Sequence, residues 1–207
     1  ERSRGLGDVY KRQLHDGVDL KKFTKKKSSE NRIPTVTYCG SLSKSKGIDL
    51  IIDAAKLINN VEFVIIGGLK TELDYYKEIV IKSGVNNVKF VGQVNYSEVP
   101  ELLNNSDILL LPSTANEIKS KEYTSAMKLF EYLSMGKPII ASNISSNTEI
   151  LKIEVNCLLF EPDNPESLAT KIEFLIGNKD LKDKLSNNSS NLALKYSWEE
   201  RLSLIHI

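Results

Sequence analysis

Short apolar runs alternate with segments of helical periodicity along most of the chain, and this alternation constrains the fold more than any other feature. Six runs have the length and composition of strands: 36–39, 61–66, 88–91, 108–111, 138–141 and 157–160. Apolar residues spaced three or four apart predict helices at 47–58, 72–83, 97–103, 125–135, 165–176 and 181–194, and one turn at 147–151. Strands without polar interruptions are typical of sheets covered on both faces. The sequence therefore predicts an α/β domain with a doubly wound, Rossmann-like parallel sheet.

Composition and charge exclude several classes of function. The 207 residues carry 28 basic and 27 acidic side chains, a net charge of +1, so no global basic field favours nucleic acid. The longest apolar runs have strand length, which predicts no membrane span. Two cysteines inside apolar runs and only two histidines predict no zinc site of the usual kind and a reducing, cytoplasmic location.

The two ends of the chain differ from its middle. Residues 1–13 show neither helical nor strand periodicity. They resemble a translated sequencing adapter of the kind found in genes assembled from environmental reads, and residues 202–207 resemble the matching adapter. We expect both segments to be non-native; frayed native termini are the alternative. Residues 14–32, rich in lysine toward their end, are expected to be an interdomain linker, leaving residues 33–201 as the folded domain.

The loop after the first strand offers one candidate for chemistry. In a doubly wound sheet, ligands bind beyond the carboxyl ends of the strands. This loop contains Gly40, Ser41 and Lys46 directly before a predicted helix. A lysine opposes the positive end of a helix dipole, so a bound anion would explain its position. The loop matches neither the P-loop nor the G-x-G-x-x-G pattern, and a solvated lysine loop remains an equal alternative.

The segment 123–138 offers a second candidate. Thr124 or Ser125 can cap the predicted helix, Lys128 follows near its first turn, and Glu131 lies three positions later on the same face. Backbone N–H groups and Lys128 could hold a phosphate, while Glu131 could accept hydrogen bonds from a sugar diol. The alternative is a surface pair between Lys128 and Glu131, which would contribute only some tenths of a kcal/mol, roughly.

Four motifs in this order resemble the donor-binding C-terminal half of a retaining GT-B glycosyltransferase of the family-4 type. They are GSLSKSKGIDLIIDAAKLI, VEFVIIGG, NVKFVGQVNYSEVPELLNNSDILLLPS and TSAMKLFEYLSMGKPIIAS. The opening HDGVD with the following phenylalanine resembles the segment that joins the two halves, and YSWE resembles the closing helix. The resemblance covers nearly all of residues 14–201. It implies that the acceptor-binding N-terminal half is missing from this chain.

The resemblance also implies roles for individual residues. Gly40 and Lys46 match positions at the donor diphosphate, and Ser41 stands where the family usually has an arginine, a contact that Lys128 would replace. Val94 matches the position against the nucleobase. Glu131 matches the ribose ligand, the second glutamate of an E-x7-E motif whose first position is Tyr123. The implied donor-binding residues are Gly40, Ser41, Lys46, Val94, Tyr123, Thr124, Ser125, Lys128 and Glu131, with no metal and no cofactor; the catalytic residues are not identified.

The implied activity is hexosyl transfer from a nucleotide diphosphate sugar to a glycan or a lipid-linked acceptor. We expect the chain alone to bind the nucleotide weakly without turnover, and any peripheral membrane contact to involve the missing half. Two alternatives stay open. Ser41 and Tyr123 at usual ligand positions would suit a non-catalytic nucleotide- or sugar-binding module. Half of a GT-B sugar-nucleotide epimerase would need acid and base groups that this half does not show.

Overall fold

The computed structural model describes residues 16–25, 33–116 and 127–203. The segment 1–13, which was expected to be non-native, lies outside these ranges. So do most of the 202–207 tail and residues 26–32 of the linker. Three of the candidate site residues, Tyr123, Thr124 and Ser125, also lie outside the described residues.

Six parallel strands form one sheet, which confirms the predicted fold class. The strands are β1 (Thr35–Cys39), β2 (Glu62–Ile66), β3 (Val88–Gly92), β4 (Ile108–Leu111), β5 (Ile139–Ser142) and β6 (Cys157–Phe160). Their order in the sheet is β3-β2-β1-β4-β5-β6. The chain thus starts in the middle of the sheet, and its winding reverses between β1 and β4. A ligand cleft is expected beyond the carboxyl ends of these two neighbouring strands.

Eight helices and one 3-10 turn connect the strands in the described part of the chain. They are the 3-10 turn Lys44–Lys46, α1 (Ile48–Ala55), α2 (Lys70–Ser83), α3 (Val99–Asn104), α4 (Met127–Ser134), α5 (Ser145–Thr148), α6 (Pro165–Ile176), α7 (Lys179–Leu194) and α8 (Trp198–Ser203). The start of the helix predicted at 125–135 lies outside the described residues.

Three helices, α2, α5 and α7, begin two residues earlier than their periodicity predicts, for local reasons; before α7, the Asn178 side chain caps the helix by accepting from the Leu181 N–H. Helix α2 starts at Lys70 rather than at residue 72, because the Glu72 carboxylate accepts a hydrogen bond from the Leu69 N–H at 2.8 Å. The turn predicted at 147–151 forms as α5, two residues earlier. There Ile144 is extended, and its carbonyl accepts the first hydrogen bonds of the helix. Side-chain and backbone caps thus set boundaries that apolar spacing does not.

The core lies in two layers, one on each face of the sheet. Successive side chains of β4 point to opposite faces: Ile108 and Leu110 pack with α1, α2 and α6, while Leu109 and Leu111 pack with α3, α4 and part of α7. All four residues of β4 are buried. Both faces of the central strands are therefore covered, as the unbroken apolar runs predict.

The described part of the expected linker packs onto the domain. Val18 and Phe23 are buried. The Val18 N–H donates to the Tyr196 carbonyl at 2.9 Å, and the Val18 carbonyl accepts from the Trp198 N–H at 3.2 Å. Helix α8 follows this contact and extends through Ser203, two residues into the segment expected to be a tail. Residues 16–25 therefore contribute to the core. Within the described ranges, no helix has both the length and the hydropathy needed to cross a bilayer.

Candidate functional site

Glycines at the ends of β1 and β2 bring two loops together without intervening side chains. The Gly40 N–H donates to the Ile66 carbonyl at 2.8 Å. Gly67 has a φ of +108°, and a Cβ there would overlap the Gly40 carbonyl oxygen. A Cβ at Gly40 would in turn overlap the Nζ of Lys128. The absent side chain at Gly40 therefore leaves the space that the Lys128 ammonium fills beyond the end of β1.

Lys128, the second residue of α4, reaches over the carboxyl end of β1. Its Nζ donates to the Tyr38 hydroxyl at 3.0 Å and lies 4.5 Å from the centre of that ring. Tyr38 is buried, and its hydroxyl donates to the Ser41 carbonyl at 2.7 Å. Ser41 thus contributes its backbone to this arrangement, while the residue itself is exposed.

Positive charge is concentrated at this position. Burial, together with the nearby charge of Lys46, lowers the pKa of Lys128 to about 8. Lys46 ends the 3-10 turn, and Gly47, the N-cap of α1, follows it directly. The structure therefore brings both predicted lysines to one place at the carboxyl edge of the sheet. An anion bound there would relieve their mutual repulsion.

Glu131 has a different partner from the one that its spacing suggests. Its Oε1 accepts a hydrogen bond from the Tyr96 hydroxyl at 2.8 Å. Burial raises the pKa of the half-buried Glu131, while the Tyr96 hydrogen bond and the Lys128 charge oppose that rise. Among the described residues Lys128 and Glu131 form no ion pair, so the alternative of a Lys128–Glu131 surface pair is wrong. Lys128 instead turns toward the space at Gly40, and Glu131 turns toward the loop after β3.

The loops after β1 and β3 and helix α4 thus meet at one edge. Val94 is partly buried against the core layer that contains α4, and it lies two residues before Tyr96. The described candidates Gly40, Ser41, Lys46, Val94, Lys128 and Glu131 therefore lie on elements that converge at this edge.

Three tyrosines of this edge were not among the sequence-based candidates. Tyr38 accepts a hydrogen bond from Lys128, and Tyr96 donates one to Glu131. The fully buried Tyr132 accepts a hydrogen bond from the Cys39 N–H at 2.8 Å. Their signal was position: Tyr38 lies two residues before Gly40, Tyr96 lies in the loop after the third predicted strand, and Tyr132 follows Glu131 directly. A hydroxyl in such a place requires a partner when it is buried.

Cys39 is not suited to nucleophilic chemistry. Burial raises the pKa of its thiol to about 11, although the Lys128 charge partly opposes this. The thiol is therefore protonated near neutral pH. No group of three or more His, Cys, Asp or Glu side chains in the described ranges could hold a metal ion.

Replacing Tyr132 with phenylalanine tests the buried backbone contact behind the site. The change keeps the ring but leaves the Cys39 N–H without its acceptor, so we expect the free energy of unfolding to fall by about 1–2 kcal/mol. Urea denaturation measures this change. Tyr75→Phe is the matched control, because Tyr75 is 53% exposed. Equal stability of both variants would contradict a structural role for the Tyr132 hydroxyl.

These observations define a Rossmann-like α/β domain whose ligand edge carries two lysines and one carboxylate. The family described as Glycosyl transferases group 1 matches residues 20–192, and the chain belongs to this family. An uncharacterized glycosyltransferase of Methanocaldococcus jannaschii is 31% identical over 166 residues. The match covers 79% of this chain and 44% of that relative, so the chain spans less than half of the relative's length.

Solved structures show the same fold. Sucrose-phosphate synthase from Thermosynechococcus elongatus superposes with a TM-score of 0.80 at 20% identity, over 92% of this chain and 50% of that chain. The HepE protein of Anabaena, solved in complex with UDP and glucose, superposes with a TM-score of 0.74 at 23% identity, over 92% of this chain and 54% of that one. The predicted Rossmann-like fold of the domain is thereby confirmed.

Proposed function

We propose that this domain binds the nucleotide diphosphate sugar donor of a retaining, family-4-type glycosyltransferase that transfers a hexose to a glycan or a lipid-linked acceptor. The observation that carries the proposal is the convergence of Lys46, Lys128 and Glu131 at the carboxyl edge of β1. Two lysines suit a diphosphate, and a carboxylate with a free oxygen suits sugar hydroxyls. HepE, a structural neighbour, was solved with UDP and glucose.

Each part of the donor has a proposed place. The diphosphate lies between Lys46 and Lys128, against the backbone at Gly40 and Ser41. The ribose hydroxyls meet Glu131, and the nucleobase lies against Val94. Tyr123, Thr124 and Ser125 are proposed to complete the site from the segment before α4. Since Ser41 offers no cation, Lys128 supplies the charge, and its ammonium already lies beside Gly40 and the Tyr38–Ser41 contact.

The chemistry proposed for these residues is stabilisation of the leaving group. Negative charge grows on the diphosphate as the glycosidic bond to the donor sugar breaks, and preorganised cations stabilise that charge without a metal. We place the acceptor site and the catalytic residues in sequence that this chain does not contain, so the chain alone binds nucleotide without turnover. Its two free cysteines suit a reducing compartment, and we propose a cytoplasmic location.

Calorimetric titration of the chain with UDP, GDP and ADP tests the proposal. At least one nucleoside diphosphate is expected to bind, and its 2′-deoxy analogue is expected to bind more weakly by about 1–3 kcal/mol, because the Glu131 carboxylate loses a donor. Glu131→Gln should reduce this preference, while Glu173→Gln, at an exposed position of α6, should retain it. Absence of binding by all three nucleotides would overturn the proposed function.

A further inference from the structure

Tyr96 and Glu131 are joined across the cleft edge by a hydrogen bond between side chains 35 positions apart in sequence. An ionised carboxylate only accepts hydrogen bonds, so the phenolic proton of Tyr96 points at Oε1 of Glu131. The phenolic oxygen keeps lone pairs that can accept a further hydrogen bond. The bond therefore leaves two acceptors side by side: the second carboxylate oxygen and the phenolic oxygen.

The ring of Tyr96 is also held in place by an aromatic contact with Phe23. Its centre lies 5.5 Å from that of Phe23, with the planes tilted by 56°. Phe23 is 1% exposed, and its N–H closes a turn on the Asp19 carbonyl at 3.0 Å. Tyr96 itself is 52% exposed, so its hydroxyl is fixed by a packed ring yet open to a ligand.

The second oxygen of Glu131 has no competing donor in the described part of the chain. Lys128, the nearest cation in sequence, donates to Tyr38 instead. In the described part of the chain, the Glu131 charge also raises the pKa of Cys39 on β1 and of Tyr132 on α4. The Tyr132 hydroxyl accepts the Cys39 N–H. The free carboxylate oxygen is therefore available to a hydroxyl of a bound ligand.

We propose that Tyr96 is a specificity-determining residue that, with Glu131, reads the pair of hydroxyls on the sugar of the bound nucleotide. One hydroxyl donates to the second oxygen of Glu131, and the neighbouring hydroxyl donates to the phenolic oxygen of Tyr96. Tyr96 also fixes the carboxylate in the orientation that this requires. The inference rests on the proposed function, since it assigns a residue to the sugar part of that same nucleotide site.

The test uses calorimetry to compare whichever of UDP, GDP and ADP binds the parent chain with its 2′-deoxy and 3′-deoxy analogues, on the parent chain and on Tyr96→Phe. The variant keeps the ring against Phe23, and the free energy of unfolding in urea checks its fold. We expect Tyr96→Phe to reduce the preference for the ribonucleotide over at least one deoxy analogue by about three- to tenfold, the effect of one hydrogen bond. Tyr75→Phe, at another half-exposed tyrosine, should leave both preferences unchanged.

The outcomes separate the two levels of the proposal. Nucleotide binding with both preferences unchanged in Tyr96→Phe would overturn the role of Tyr96 and leave the donor site standing. If the parent chain binds none of the three nucleotides UDP, GDP and ADP, the proposed function itself is overturned. Loss of either preference, or of both together, supports the shared reading of the hydroxyl pair by Tyr96 and Glu131.

Discussion

Replacing Lys128 with alanine is expected to weaken nucleoside diphosphate binding by about 1–3 kcal/mol, the range of a charge-assisted contact. Lys46→Ala should have an effect of the same size, because the charges of both lysines act at one position. Calorimetric titration with whichever of UDP, GDP and ADP binds the parent chain measures both effects. Lys82→Ala is the matched control, since Lys82 lies on α2 with a side chain that is 73% exposed. Unchanged affinity in both test variants would remove the phosphate site.

The pH dependence of binding gives the same prediction a second readout. The pKa of Lys128 in the empty domain is lowered to about 8, so affinity for the diphosphate should fall as the pH rises through about 8 and the ammonium loses its proton. Lys128→Ala should flatten that part of the profile. An identical profile in the variant would show that Lys128 does not face the anion.

Stability should respond in the opposite sense. Below pH 8 the folded chain bears the full cost of holding Lys128 charged, and this cost declines as the pH rises from 8 toward the ordinary lysine value. At pH 7 the free energy of unfolding of Lys128→Ala, measured in urea, is therefore expected to be no lower than that of the parent chain. Loss of binding without loss of stability identifies a residue that serves a ligand.

Gly67→Ala is expected to lower the free energy of unfolding by about 3 kcal/mol or more, from a strained backbone and a steric overlap together. Gly67 has a φ of +108°, and a new Cβ would overlap the Gly40 carbonyl oxygen, which belongs to the backbone and cannot rotate away. The loops after β1 and β2 would have to separate. Thermal and urea unfolding measure the effect.

Gly84 provides a control, because its φ is also positive but a Cβ there would cause no steric overlap. It has a φ of +70°, and a Cβ there would meet no atom within 4 Å. Gly84→Ala should therefore cost only the conformational strain, about 1 kcal/mol. The difference between the two variants measures the close approach of the loops. If Gly67→Ala is no more destabilising than Gly84→Ala, the loops do not meet as the structure shows.

Periodicity was sufficient for the six strands and for seven of the eight described helices, because burial on one helical face or on both faces of a strand is written directly into the order of apolar residues. The run Ile108–Leu111 has no other stable place than a central strand covered on both sides, and the structure puts it there. Helix boundaries were less predictable. The start of α2 depends on one side-chain cap, Glu72 on Leu69, that spacing does not encode.

In the candidate site, the sequence indicated the charged residues, while their hydrogen-bond partners depend on the tertiary structure. Sequence alone marked Lys46 and Lys128, because a lysine near the positive end of a helix dipole is unfavourable without a bound anion, and it marked Glu131, which lies three positions after Lys128 on the same helix face. It suggested a Lys128–Glu131 pair, since a spacing of three permits one on a helix. Folding brings Tyr38 to Lys128 across 90 positions and Tyr96 to Glu131 across 35. Such partners depend on strand order and on the space left by Gly40. These properties exist only once distant segments pack together, and no local pattern in the chain records them.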